Sequence, residues 1–578
     1  MTHDYDLVIR GGLVADGGGA EPFTADVAIS GGQIKAVGPV SGTGATEIDA
    51  RGKLVTPGFV DIHTHYDGQA IWSQHLDPSS SHGVTTVVLG NCGVGFAPCR
   101  AADHERLVKV MEGVEDIPGV VMSEGLPWTW ETFPEYLDAL EARQRDIDVA
   151  AFLPHSPLRI YVMGERGAAG EPATEDDMAQ MRALTREAIE AGALGAASSR
   201  QFAHRTKAGA LIPSYAAAAA ELKAIACGMT DAGRGVMQVV PDVPHMPWEG
   251  EIERLIEVAT ASGRPLTFSM GTPNAGDPIW LGALEQVEAA NAAGAKLIPQ
   301  ILPRPVGMLA SHELSVNPFC LCPSYAALAG LPIEAKIAEL RRPEMRARLL
   351  AETPAEGHPL SVLGRMWDWM FPFSDPPNYA PPLETSIAAQ ARARGVPPQE
   401  LAYDMLLEHD GKAMFYITMG NYYEGKLDAL GELLRRPGIV MGLGDGGAHY
   451  GAICDASYPT FFLTYWARDR PSDRLTIGET VRALARKPAE AVGLLDRGLL
   501  RPGYKADINV IDFGRLVLHA PIVRHDLPAG GLRLDQAATG YEATIVSGRI
   551  IRRNDEPTDE LPGRVIRGQQ PAPTMRTA

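Results

Sequence analysis

Between residues 59 and 443 one pattern recurs: a short apolar, β-branched run, a polar or glycine-rich exit, and an amphipathic helix. Val84-Thr-Thr-Val-Val-Leu89 is the clearest run. A strand apolar on both faces must be covered on both faces, and parallel strands linked by crossover helices achieve this. Similar runs occupy 59–62, 149–153, 193–197, 236–240, 266–268, 297–301, 414–417 and 439–443. A helix is expected from Thr174, with Asp176 and Asp177 in its first turn. It puts Met178, Met181, Thr185 and Ala188 on one face and stops before Gly192. The expected fold class is α/β, a (β/α)8 TIM-like barrel; the nine runs are one more than it needs.

The ends read differently. Residues 6–10, 26–30 and 33–37 are short strand-like stretches punctuated by Gly11-Gly12 and Gly31-Gly32, and residues 506–512 and 541–548 repeat that texture. One small β domain built from both termini, 1–57 plus 490–578, accounts for them beside a barrel over 58–489. Residues 303–410 form a long insertion with its own helices, one expected over 332–352. It also carries the aromatic stretch 366–373, a candidate lining for the barrel mouth. The Pro-rich tail from Asp555 wraps or frays.

With 52 Lys and Arg against 71 Asp and Glu, the net charge is −19, which argues against nucleic acid or an anionic membrane as partner. Six cysteines are too few for a disulfide scaffold. The opening MTHDYDLVIRGG has acids where a signal peptide would carry basic and then apolar residues, so none is expected there, and no run reaches the roughly 18 apolar residues of a membrane span. The expectation is a soluble, cytoplasmic protein that acts on a small molecule. The oligomeric state stays open, a homo-oligomer included.

Three stretches carry chemistry. In Val55-Thr-Pro-Gly-Phe-Val-Asp-Ile-His-Thr-His65, His63 and His65 project from one face of a strand end, where both imidazoles can reach one metal. Cys92, in Gly90-Asn-Cys-Gly-Val-Gly-Phe-Ala-Pro98, reads as a thiolate ligand or as a buried structural thiol. Asp445, in Gly442-Leu-Gly-Asp-Gly-Gly-Ala-His449, reads as a metal-binding proton shuttle or as a turn residue. Other systems are thin. Gly93-x-Gly95 lacks its third glycine because Pro98 stands there. His312-Glu313 is followed by Val316 where a zinc-protease motif needs histidine, and there is no G-x-S-x-G elbow or P-loop.

Taken with the opening DLVIRGGLVADGGG and the closing GLLRPGYKADINVID, YEATIVSGRII and LPGRVIRG, these stretches resemble the amidohydrolase superfamily, and within it the N-acyl-D-amino-acid deacylase (D-aminoacylase) branch. The resemblance runs over nearly the whole chain. It implies a (β/α)8 barrel with a β-sandwich built from both termini, metal ligands at His63, His65 and Cys92, and Asp445 as ligand and proton shuttle.

The departures are as informative. The branch has ligand histidines at the ends of the fifth and sixth barrel strands; here Gln238 and Met270 stand there. The branch's carboxylate-binding Lys after the sixth strand is missing, and the first Arg after Asp445 is Arg468. Remaining substrate candidates are His155, Arg200, Gln238, Met270, Arg304 and His449, the last an oxyanion donor or an ordinary loop histidine. The expectation is a metal-dependent hydrolase of amide C–N bonds, on N-acyl amino acids or related linear or cyclic amides, with one divalent ion per chain, zinc by its mixed N/S/O donors. The alternative is a non-hydrolytic barrel, a lyase, isomerase or ligand-binding protein that has lost part of the metal site.

Overall fold

The computed structural model describes residues 3–243, 247–354 and 358–574. Eight parallel strands lie side by side in chain order: β1 (Phe59–Asp61), β2 (Val84–Leu89), β3 (Asp148–Pro154), β4 (Gly195–Ser199), β5 (Val236–Val240), β6 (Leu266–Ser269), β7 (Leu297–Ile301) and β8 (Val440–Met441). They form a TIM-like barrel that is nearly closed. Its two ends meet at the mouth through backbone hydrogen bonds, Asp445 N–H to the His63 carbonyl (3.0 Å) and His65 N–H to the Gly446 carbonyl (2.7 Å). The glycines after β8 permit this approach: a Cβ on Gly444 would lie 1.9 Å from the Asp61 carboxylate.

Local chemistry sets the helices. Glu175–Ala191 begins with a reciprocal cap, Thr174 Oγ1 accepting from Asp177 N–H and Asp177 Oδ2 accepting from Thr174 N–H, and Gly192 follows its last turn. The stretch expected as one helix over 332–352 is two, Ile333–Leu340 and Pro343–Ala351, because Pro343 has no N–H to continue the ladder.

The ninth run is a strand of another sheet. Phe415–Gly420 pairs antiparallel with Val306–Ala310 and with Met370–Pro372 between β7 and β8. Its first four residues are buried like a barrel strand's, Phe415 and Ile417 against a separate core that includes Phe319, Leu340, Leu349, Tyr403 and Leu406, and Tyr416 in the main core. The aromatic stretch therefore packs: Met370 and Phe371 are fully buried, and the Phe373 ring lies 5.3 Å from that of Tyr379.

Strands from both ends of the chain share one nine-stranded sheet, the N-terminal strands on one side and the C-terminal strands on the other, meeting at Leu54–Pro57 and Ile508–Ile511. Leu54–Pro57 pairs with Ile508–Ile511 on one side and Tyr5–Val14 on the other, and the chain passes from it into β1 through Gly58. Gly58 is required there, since a Cβ would meet Thr85 Oγ1 at 2.2 Å. The tail wraps: Ile566 N–H bonds to the Val149 carbonyl and Gly568 N–H to that of Gly192. No helix among the described residues is long and apolar enough to cross a membrane.

Arg304 joins the insertion to the segment after β8. Fully buried, it donates to Asp455 Oδ1 (2.6 Å), Ser457 Oγ (2.9 Å) and the Cys454 carbonyl (2.8 Å), and lies 4.0 Å over the Tyr379 ring. Arg304→Met strands a buried carboxylate, so a loss of about 3–5 kcal/mol is expected, read as a lower urea midpoint. Arg304→Met/Asp455→Leu should recover most of it; a single variant as stable as wild type would refute the tie.

Candidate metal centre

The strand ends place the ligand atoms. Past β1, Asp61 Oδ1 accepts from His63 N–H (3.1 Å), and Thr64 turns away to bond the Val88 carbonyl (2.8 Å), leaving His63 and His65 facing the barrel axis. After β2 the chain makes a tight turn, with Gly90 at φ 80°, Cys92 at φ 55° and Gly93 at φ 65°. A Cβ on Gly93 would press within 2.7 Å of the Ser198 backbone. Gln238 on β5 accepts from Cys92 N–H (3.2 Å) and so holds the turn.

Cys92 Sγ stands 3.3 Å from His63 Nε2 and 3.8 Å from His65 Nε2. Asp445 Oδ1 stands 3.5 Å from His63 Nε2 and 3.4 Å from His65 Nε2. The His63, His65 and Cys92 donor atoms all lie within 4.8 Å of one another, the one such metal-ligand group among the described residues. Asp445 Oδ1 is buried and accepts no hydrogen bond. A divalent cation fits these residues: two imidazoles, a thiol and an orphaned carboxylate oxygen converge, a donor set suited to zinc.

The imidazoles are oriented from behind. Gln300 on β7 donates its amide to Thr267 Oγ1 (2.9 Å), so its oxygen faces His63 Nδ1 at 3.0 Å. His65 Nδ1 faces Glu115 Oε1 at 3.4 Å. The electrostatics follow. Burial pushes the His63 imidazole down to about 4. Burial also opposes charge on His65, but Glu115, Cys92 and Asp445 outweigh it and raise its pKa well above the ordinary value. For Asp445 burial acts upward, yet His65 and His63 hold the carboxyl below the usual range. Burial pushes the Cys92 thiol up to about 12.

Three of these residues sit in the left-handed region that favours glycine: Cys92 (φ 55°), Asp445 (φ 48°) and His449 (φ 50°). Such strain clusters at functional sites, where the surrounding structure holds a side chain that the backbone alone would not choose.

The structure brings His63, His65, Cys92 and Asp445 together, with His449 beside them and its side chain 27% exposed at the mouth. Gln238 supports the Cys92 turn. Met270 is buried in the apolar core. The remaining cationic candidates have partners elsewhere. Both His155 nitrogens are occupied, by Ser198 Oγ and Glu221 Oε1 (2.9 Å each), and Arg200 is engaged by Glu251 (3.2 Å) and the Ala217 carbonyl (2.7 Å). Arg304 serves the tie described above. Arg468 donates to the Phe513 and Leu516 carbonyls. Glu115 and Gln300 were not anticipated from the sequence. Gln300 had a signal, as the polar residue in the run Leu297-Ile-Pro-Gln-Ile301; Glu115, just past a helix end, had none.

A TIM-like barrel carrying such side chains at the C-terminal ends of its strands belongs to the class of barrel hydrolases acting on C–N bonds. The amidohydrolase family profile matches residues 46–552, and the chain belongs to that family. It is 29% identical over 605 residues to an uncharacterized protein of Mycobacterium tuberculosis, covering 96% of this chain and 90% of that one. It is 33% identical over 285 residues to the D-aminoacylase of Alcaligenes xylosoxydans xylosoxydans, covering 48% of this chain and 53% of that protein. Among solved structures, a D-aminoacylase superposes with a TM-score of 0.66 at 22% identity, covering 97% of this chain and 99% of the other. The N-acyl-D-glutamate deacylase of Bordetella bronchiseptica, complexed with zinc and a phosphonate inhibitor, gives 0.65 at 22% identity, with the same coverage. These structures share the fold.

The strained turn gives a test of Cys92. Glycine is at ease at φ 55°, so Cys92→Gly should leave the metal-free protein folded, with the relieved backbone offsetting part of the lost thiol packing. Zinc retention on gel filtration should fall sharply; zinc held as in wild type would remove Cys92 from the ligand set.

Proposed function

We propose that this chain is a metal-dependent amide hydrolase holding one divalent ion, zinc, on His63, His65 and Cys92, with Asp445 as further ligand and proton carrier. The observation that carries the reading is the convergence of the His63, His65 and Cys92 donor atoms, with the orphaned Asp445 oxygen 3.5 and 3.4 Å from the two imidazoles. With Gln238 within β5 and Met270 just past β6, no second group of metal ligands forms among the described residues.

A bound divalent ion supplies Lewis acidity, which makes hydroxide available near neutral pH and polarises a carbonyl oxygen. The chain does the rest. Asp445, ionised at neutral pH, accepts the proton of the attacking water and returns it to the leaving nitrogen. His449, on the same loop and partly exposed, has its Nε2 turned to Glu115; carrying hydrogen on both ring nitrogens, it would donate from Nδ1 to the oxygen that gains charge in the transition state. Gln300 and Gln238 hold His63 and the Cys92 turn in place.

The relatives named D-aminoacylase and N-acyl-D-glutamate deacylase favour an N-acyl amino acid or a related linear or cyclic amide as substrate. The branch's Lys and Arg for the substrate carboxylate have no counterpart at this mouth among the described residues, so neutral amides suit it better than free N-acyl-D-amino acids. With N-acetyl-D-amino acids, kcat/KM should fall below the usual enzyme range of about 10⁴–10⁸ M⁻¹s⁻¹; a value inside it would overturn this preference.

The mechanism is tested by Asp445→Asn, which keeps size and one oxygen but cannot take a proton at neutral pH. Amide hydrolysis should lose roughly 10²–10⁴ in kcat while zinc by elemental analysis falls much less. His63→Ala should lose both together. Full activity without metal would favour the non-hydrolytic barrel, and two tightly held ions per chain would refute the single site.

A further inference from the structure

Glu115 caps the C-terminal end of the helix His104–Val114, its N–H bonding the Met111 carbonyl (2.9 Å). Its carboxylate is 1% exposed, and neither oxygen has a hydrogen-bond partner within ordinary distance. Each faces one imidazole: Oε1 lies 3.4 Å from His65 Nδ1 and Oε2 3.5 Å from His449 Nε2. The backbone repeats the connection. The Glu115 carbonyl accepts from His449 N–H, and Asp116 Oδ2 from Gly451 N–H (3.2 Å). Residues 115–116 thus span from the β1 ligand pair to the loop after β8.

We propose that Glu115 is a positioning residue that sets both imidazoles at once. A buried carboxylate with no other donor is satisfied only when His65 carries a hydrogen on Nδ1 and His449 one on Nε2. That choice turns the bare His65 Nε2 toward Cys92 and Asp445 and holds His449 over the mouth. A carboxylate behind a ligand imidazole fixes its tautomer and ring orientation. Here the same carboxylate serves a second imidazole that is not among the converging ligands, which couples substrate-side geometry to metal affinity. This assignment rests on the metal reading above.

Glutamine at 115 offers one acceptor and one donor, so it serves one imidazole and frustrates the other. Zinc affinity, measured by chelator competition on reconstituted protein, should weaken about 10–100-fold in Glu115→Gln. In a His449→Ala background the amide oxygen is free to face His65, so the same substitution should cost much less, a non-additivity that a merely loop-holding Glu115 would not produce. Wild-type zinc affinity in Glu115→Gln, or equal losses in both backgrounds, overturns the proposal while the metal reading stands. A wild-type protein that binds no zinc overturns both. If the variants fail to fold, ¹⁵N shifts of His65 in zinc-loaded wild type decide: hydrogen on Nδ1 supports the assignment, and hydrogen on Nε2 overturns it.

Discussion

Two backbone hydrogen bonds at the mouth, Asp445 N–H to the His63 carbonyl and His65 N–H to the Gly446 carbonyl, join the first strand of the barrel to the last. The site depends on them. His63 and His65 leave β1 on one side of that seam, and Asp445 leaves β8 on the other, so its carboxylate comes within 3.5 Å of both rings. The seam closes because residues 442, 444, 446 and 447 are glycines. At Gly447 a Cβ would meet the His65 carbonyl at 2.7 Å.

Around that seam the protein has built an outer shell that is polar and almost fully committed. Gln300 and Glu115 stand behind the two imidazoles, and Gln238 behind the Cys92 turn. The strained φ angles of Cys92, Asp445 and His449 show the direction of the energetics: the backbone accepts unfavourable conformations of order 1–3 kcal/mol each so that Cys92 and Asp445 face the imidazole pair and His449 faces Glu115. Cations that could have clamped a substrate carboxylate are instead spent on the scaffold, as with Arg304 on Asp455 and Arg200 on Glu251.

The remaining architecture keeps this mouth in place. The three-stranded sheet between β7 and β8 is tied to the segment after β8 by Arg304, and the hairpin Ile522–Leu527/Gly531–Asp535 reaches the same region, Leu534 N–H bonding the Tyr450 carbonyl (2.7 Å). Tyr450 in turn donates to Gln69 Oε1 (2.8 Å), close behind the histidine pair. Elements from the insertion and from the C-terminal part of the chain thus converge on the loop that carries Asp445 and His449.

The sequence by itself determined whatever depends on near neighbours. The eight buried strands are readable because each coincides with or overlaps a short apolar run, the Thr174 cap because it involves two residues three apart, and the His63/His65 pair because strand geometry alone aligns i and i+2. Only the tertiary structure decided matters that depend on distant partners. The run at 414–417 has a barrel strand's composition, yet its hydrogen-bond partners place it in another sheet. Arg304 reads alike as a substrate clamp or a scaffold ion pair until Asp455 is seen beneath it. Glu115 follows a helix end as any solvated acid might; what makes it part of the site is burial against two imidazoles from the two sides of the barrel seam. Burial and pairing are properties of the closed fold, and no local pattern of residue types encodes them.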